Sequence, residues 1–123
     1  MEHQIRTEGS VSVLELNGDL DVSSAPTLQT ALQQLMDDGR QLVVLDLGAV
    51  PFMDSSGLGV LVAANRRLIA AGGQIALASA APALRKVFQL TRTNRLFKLY
   101  DAVSDAVAEI GSHGAGLSAN LGK

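Results

Sequence analysis

The spacing of apolar residues predicts that the chain begins with a β-hairpin. Residues 3–8 and 10–17 are predicted to form two strands, and Gly9-Ser10 between them is typical of a tight turn. The apolar phase changes within the second segment, first at Val11 and Val13, then at Leu14 and Leu16. This change indicates either a bulge or a strand that is buried on both faces.

The next segments have helical and then extended spacing. Ser23 or Ser24 can cap a first helix, with Pro26 in its first turn and Gly39 at its end. Its predicted apolar face consists of Leu28, Ala31, Leu32, Leu35 and Met36. The run from 42 to 47 is almost uniformly apolar, which favours a central strand that is covered on both faces.

The second half of the chain continues this alternation. A helix from Leu58 to Gly72-Gly73 and a strand over 74–78 complete a strand–helix–strand unit, whose two strands should be parallel and joined by a right-handed connection. Pro82 begins a third helix, residues 96–100 form a short strand, and Asp101 caps a fourth helix. We therefore predict an α/β fold with a mixed sheet of four to five strands, an N-terminal antiparallel hairpin and about four helices.

Length and composition place this fold in a single domain. The chain has 123 residues, of which 47% are hydrophobic and only 3% aromatic. Residues 1–110 are predicted to form the domain, and the Gly/Ser/Ala-rich residues 111–123 a flexible C-terminal tail. The net charge of −2 argues against general nucleic-acid binding, and the absence of cysteine excludes disulfides and thiolate metal sites. No apolar run approaches the ~20 residues of a membrane span. Without a signal-peptide pattern at the N-terminus, we expect a cytoplasmic protein.

The turn after the central strand carries the candidate chemistry. Asp54, Ser55 or Ser56 can each accept hydrogen bonds from the unpaired N–H groups that begin the next helix. Gly57 and Gly59 each cost roughly 1 kcal/mol there relative to alanine, which close approach by another backbone or by a partner would justify. Local spacing favours a simple helix cap. The alternative is a phosphorylation site, where a phosphate would add about −1.5 to −2 charges at the positive end of a helix.

A ten-residue segment makes this alternative specific. Phe52-Met53-Asp54-Ser55-Ser56-Gly57-Leu58-Gly59-Val60-Leu61 resembles the signature of the STAS domain family of bacterial anti-sigma factor antagonists. Gly18-Asp19-Leu20-Asp21 is similar to a conserved turn of that family, and Leu45-Asp46-Leu47 to its central strand. The resemblance covers roughly residues 3–110 and implies a STAS-like fold.

The resemblance also implies a mechanism and a set of site residues. Ser55 would be the phosphoacceptor, modified by a partner serine kinase that uses ATP and is also the anti-sigma factor. The unphosphorylated protein would bind that kinase and release the sigma factor, and a serine phosphatase would reset the switch. The expected partner-binding residues are Gly18, Asp19, Asp21, Asp54, Ser55, Ser56, Gly57, Leu58 and Gly59. No catalytic activity, cofactor, metal, nucleic acid or membrane is expected, and the chain should be a monomer or weak dimer.

Several alternatives remain beside this interpretation. A STAS-type scaffold subunit of a transporter or signalling assembly would have the same fold without the phosphorylation switch. A serine hydrolase needs a base near its nucleophile, but the only histidines are His3 and His113. A phosphorelay receiver does not fit the order of elements, and aspartates in turns are more often caps than metal ligands. The segment Thr91-Arg92-Thr93-Asn94-Arg95 is more basic than the usual segment of the family. A wider basic cluster is either a solvated face or a rim contact for an acidic partner: Arg85, Lys86, Arg92, Arg95 and Lys98.

Overall fold

The computed structural model describes residues 1–111. Its five strands are β1 Glu2–Glu8, β2 Val11–Asn17, β3 Leu42–Ala49, β4 Gln74–Ala78 and β5 Lys98–Tyr100. Its helices are α1 Ala25–Asp37, α2 Ser55–Ala70, α3 Pro82–Leu90 and α4, which spans 103–111, with a short 3-10 helix at Thr93–Arg95. The predicted fold class is confirmed: a mixed sheet with four helices.

The five strands form one sheet in sequence order. β1 and β2 pair antiparallel as the predicted hairpin, and β2, β3, β4 and β5 then pair parallel in turn. The β3–α2–β4 unit has the parallel pairing that was predicted for a crossover connection. Because the strands from β2 onward are parallel, the turns that follow β2 and β3 lie at the same edge of the sheet.

The sheet is covered on both faces, and this explains the phase change in β2. Leu14 and Leu16 belong to the larger core, under α1, α2 and α3, while Val11 and Val13 belong to a smaller core that also contains Ala106 and Ile110 of α4. The β2–β3 register also shifts between Glu15 and Asn17. Burial of both faces and a local irregularity are therefore both present, whereas the sequence had offered them as alternatives.

Three local predictions need correction. β5 begins at Lys98, so it is shorter than predicted, and Leu96 is exposed. Asp101 lies two residues before the first helical residue of α4, and its carboxylate accepts a hydrogen bond from Arg85 Nη2 at 2.7 Å. Ser24 is the N-cap residue of α1, but its hydroxyl makes no capping bond. Residues 112–123 of the predicted tail lie outside the described chain. No helix within 1–111 is long and apolar enough to cross a membrane.

Candidate docking surface

Two turns at the carboxyl edge of the sheet are joined through their backbones. The Leu20 amide donates to the Phe52 carbonyl at 2.9 Å, and the Asp54 amide donates to the Leu20 carbonyl at 3.0 Å. Leu20 thereby forms an isolated parallel bridge with Met53. A third bond runs from the Gly18 amide to the Ala49 carbonyl at 3.0 Å. Residues 18–21 and 52–59, which we call the paired turns, therefore form one continuous surface.

Gly57 is required by the contact between the paired turns. A Cβ atom at this position would lie 2.8 Å from the Leu20 carbonyl oxygen and 2.9 Å from the Leu20 Cβ, closer than real side chains approach. Of the two reasons that the sequence offered for this glycine, close approach by another backbone is the one the structure contains. Gly57 is buried, so it shapes the paired turns from below. Gly59 is exposed, and nothing lies within 4 Å of its hypothetical Cβ.

Asp54 is the residue that caps α2. Its carboxylate accepts hydrogen bonds from the amides of Ser56 at 2.8 Å and Gly57 at 3.2 Å. These are two of the helix-initial N–H groups that have no partner within the helix. Ser55 is the first residue of α2, its side chain is exposed, and its hydroxyl makes no hydrogen bond within residues 1–111. The cap and the candidate phosphoacceptor are thus adjacent but separate residues.

The turn after β2 is ordered by a second aspartate. The Asp21 carboxylate accepts hydrogen bonds from the Ser23 hydroxyl at 2.7 Å, the Ser23 amide at 3.0 Å and the Ser24 amide at 3.1 Å. These bonds, above all the one from the Ser23 hydroxyl, lower the pKa of Asp21 below its ordinary value. Asp21 consequently remains ionised at neutral pH, and it adds negative charge to the paired turns.

The sequence did not predict the two apolar residues that this surface exposes. Val22 is 73% exposed and Phe52 is 51% exposed, whereas their neighbours Leu20 and Met53 are buried. Residues that alternate along an extended backbone point to opposite sides, so burial of Met53 directs Phe52 outward. The alternation at 52–53 was the available signal, but it cannot show which of the two residues is buried until the pairing with Leu20 is known.

Beside the paired turns, α1 and α2 enclose a groove of about 390 Å³. Its walls are mainly apolar and come from Leu32 and Met36 of α1 and from Val60, Ala63 and Ala64 of α2. Polar or small residues complete the lining: Gln29, Ser55, Ser56, Gly59 and Arg67. Ser55 is thus exposed at one end of a preformed concave surface.

Comparison with known proteins identifies the fold family. The STAS domain profile matches residues 2–106. The chain belongs to the STAS domain family. Among relatives of this STAS domain, the anti-sigma-F factor antagonist RsfB of Mycobacterium tuberculosis is 26% identical over 106 residues, which cover 86% of each chain. The anti-sigma-B factor antagonist of Bacillus subtilis is 34% identical over 86 residues, covering 70% of this chain and 77% of the relative.

A solved structure supports the same assignment. The crystal structure of an anti-sigma factor antagonist from Mycobacterium paratuberculosis superposes with a TM-score of 0.81 at 30% identity, covering 89% of this chain and 92% of that one. These three relatives are named as anti-sigma factor antagonists, and their matches each cover 70% or more of this chain.

Other candidate residues of the STAS domain lie apart from Ser55 or have structural partners. His3 is in β1 and is not among the residues that line the groove, while His113 lies outside the described chain. Asp46 accepts a hydrogen bond from the Gly48 amide at 3.0 Å. No group of three or more histidine or acidic residues within 1–111 could hold a metal ion. In the basic segment, Arg85 pairs with Asp101 at 2.7 Å.

Proposed function

We propose that this protein is an anti-sigma factor antagonist whose binding to a kinase-type anti-sigma factor is switched off by phosphorylation of Ser55. The observation that carries the proposal is the setting of Ser55. It is an exposed serine whose hydroxyl makes no hydrogen bond to the described part of the chain, and its turn is joined to residues 18–21 by the backbone bonds of Leu20. A kinase can reach such a hydroxyl without first breaking a hydrogen bond of the substrate.

The same setting supports a switch that leaves the domain folded. A phosphate on Ser55 would carry about −1.5 to −2 charges at the N-terminal end of α2, where the helix dipole favours negative charge. The phosphate would displace no buried side chain because Ser55 is exposed. It would, however, add to the negative charge of Asp21 and Asp54. A partner that is complementary to the unmodified surface would therefore bind the phosphorylated surface less well.

The remaining parts of the proposal follow from this role. The partner kinase supplies ATP and transfers its phosphoryl group, a serine phosphatase removes it, and the protein itself acts in the cytoplasm without catalysis or cofactor. Residues 18–21 together with 54–59 form the binding surface, with Gly57 beneath it. We add Val22 and Phe52 to this surface because both are apolar side chains exposed in or next to the paired turns, and removal of apolar area from water favours association.

The test is to incubate the purified chain with ATP and each kinase-type anti-sigma factor of the same genome, then measure intact mass, phosphopeptides and binding. We expect one phosphate on Ser55 and loss of binding upon its addition. Ser55→Ala should bind but accept no phosphate, Ser55→Asp should bind weakly, and Ser56→Ala is the matched control that should still be modified.

Phosphate on another residue, or equal binding by Ser55→Ala and Ser55→Asp, would remove Ser55 from the mechanism. Absence of phosphate with every candidate, together with tight constitutive binding to a transport or signalling assembly, would favour the scaffold alternative.

A further inference from the structure

Gly59 has no role in packing the described chain. It lies within α2, where glycine is roughly 1 kcal/mol less favourable than alanine. Unlike Gly57, it faces open space, since nothing within 1–111 lies within 4 Å of its hypothetical Cβ. It also lines the groove between α1 and α2, one turn from Ser55. Neither sterics nor packing within 1–111 requires a glycine here, which leaves close approach by a partner, the other reason that the sequence offered.

We propose that the groove between α1 and α2 receives an apolar anchor side chain of the anti-sigma factor. This inference rests on the proposed function, and it extends the binding surface to α1. The volume of about 390 Å³ lies near the lower end of the range of ligand pockets, roughly 300–1,000 Å³. Its walls of Leu32, Met36 and Val60 match an apolar occupant. Met36 is unbranched and flexible, so it can adjust to the shape of the inserted group.

The position of Ser55 connects this groove to the switch. Ser55 and Ser56 line the end of the groove at the start of α2, and Arg67 lines the other end, about 18 Å away along the helix. Because Ser55 belongs to the lining, a phosphate on it would place a hydrated dianion beside the entering apolar side chain. Phosphorylation would then oppose anchor insertion through the cost of dehydrating that charge.

The test fills the groove without altering the paired turns. Ala63 is exposed on the groove side of α2, whereas Ala70 is exposed on the same helix and does not line the groove. With the anti-sigma factor that Ser55→Ala binds, we expect Ala63→Leu to raise Kd at least tenfold and Ala70→Leu to change it less than twofold. Equal thermal midpoints of the two variants would show that the loss does not come from unfolding.

Methionine methyl NMR provides a second measurement. The chain contains three methionines, of which Met36 lines the groove while Met53 is a buried residue of the paired turns. On addition of the anti-sigma factor, the Met36 methyl resonance should shift more than those of Met1 and Met53. A concentration-dependent shift of Met36 in the isolated protein would instead assign the groove to a second copy of the chain and overturn the proposal.

The outcomes separate the two proposals. If Ser55→Asp loses binding but Ala63→Leu binds like the unmodified protein, the groove is not the anchor pocket and the proposed function stands. If Ala63→Leu weakens binding while Met36 does not shift, the effect arises outside the groove and the inference is also wrong. If no anti-sigma factor binds the wild-type chain, both proposals fail.

Discussion

Replacing Gly57 with alanine has two opposing effects on the free energy of unfolding: a gain in helix propensity and a steric clash with Leu20. Alanine is better than glycine within a helix by about 1 kcal/mol, so propensity alone would stabilise α2. The new methyl group would, however, lie 2.8 Å from the Leu20 carbonyl oxygen and 2.9 Å from the Leu20 Cβ. Favourable contacts between carbon atoms occur at about 3.5–4.0 Å, so α2 or the Leu20 backbone must move.

This movement should cost more than the helix gains. Overpacking typically costs about 1–3 kcal/mol, and here the upper half applies because the carbonyl oxygen at 2.8 Å belongs to the backbone that forms the Leu20–Met53 bridge. After subtracting the propensity gain, we expect Gly57→Ala to lower the free energy of unfolding by about 1–2 kcal/mol. For a chain of this length that corresponds to a decrease in Tm of roughly 3–10 °C.

Gly59→Ala is the matched control on the same helix. It gains the same propensity and meets no atom within 4 Å, so the free energy of unfolding should rise by about 0.5–1 kcal/mol. Urea and thermal denaturation followed by far-UV circular dichroism would measure both variants. If Gly57→Ala proves as stable as Gly59→Ala, the paired turns are not held in close contact and the reasoning fails. The Gly59→Ala variant should thus be more stable than the wild-type protein and yet bind the anti-sigma factor less tightly.

Three further predictions concern polar groups. Asp54→Ala should lower the free energy of unfolding by about 1 kcal/mol, since two helix-initial amides lose their acceptor; an unchanged urea midpoint would contradict this. Asp21→Asn should destabilise the protein at neutral pH. Because the folded-state pKa of Asp21 is below 3.8, this difference is present above pH 3.8 and should vanish as the pH falls through the folded-state pKa; a difference that persists in acid would refute it. Tyr100→Phe should not destabilise the protein, because the buried hydroxyl has no hydrogen-bond partner within 1–111 and its burial costs about 1–3 kcal/mol; a lower Tm would reveal a partner.

The sequence predicted the elements of this fold because their apolar periodicities are strong and their ends are marked by glycine, proline or serine. It could not predict that both explanations apply to β2, because burial by α4 depends on a helix about 90 residues later in the chain. It also identified the turn at Ser55 as the candidate site, and that role stays a prediction. The bridge between Leu20 and Met53 is a contact between distant segments, and no local pattern encodes it.

The same limit applies to the groove. Leu32 and Met36 of α1 line it and were correctly predicted as part of an apolar face, but apolar spacing does not distinguish a buried side chain from one that borders an open cavity. Leu32 is buried, whereas Met36 one turn later is only partly covered, and both line the groove. That difference depends on where α2 lies, and therefore on tertiary packing.

The bridge between the paired turns also restricts how partner choice could be exchanged among related domains. A graft of residues 52–59 alone would place the amide at 54 and the carbonyl at 52 of the donor domain against the Leu20 backbone of the recipient. It would also place the donor's helix start against the same recipient backbone, which Gly57 contacts. The two turns form one structural unit although the thirty residues 22–51 separate them in the sequence. A chimera intended to change specificity should therefore transfer both turns together, and substitutions in them should be inherited as pairs.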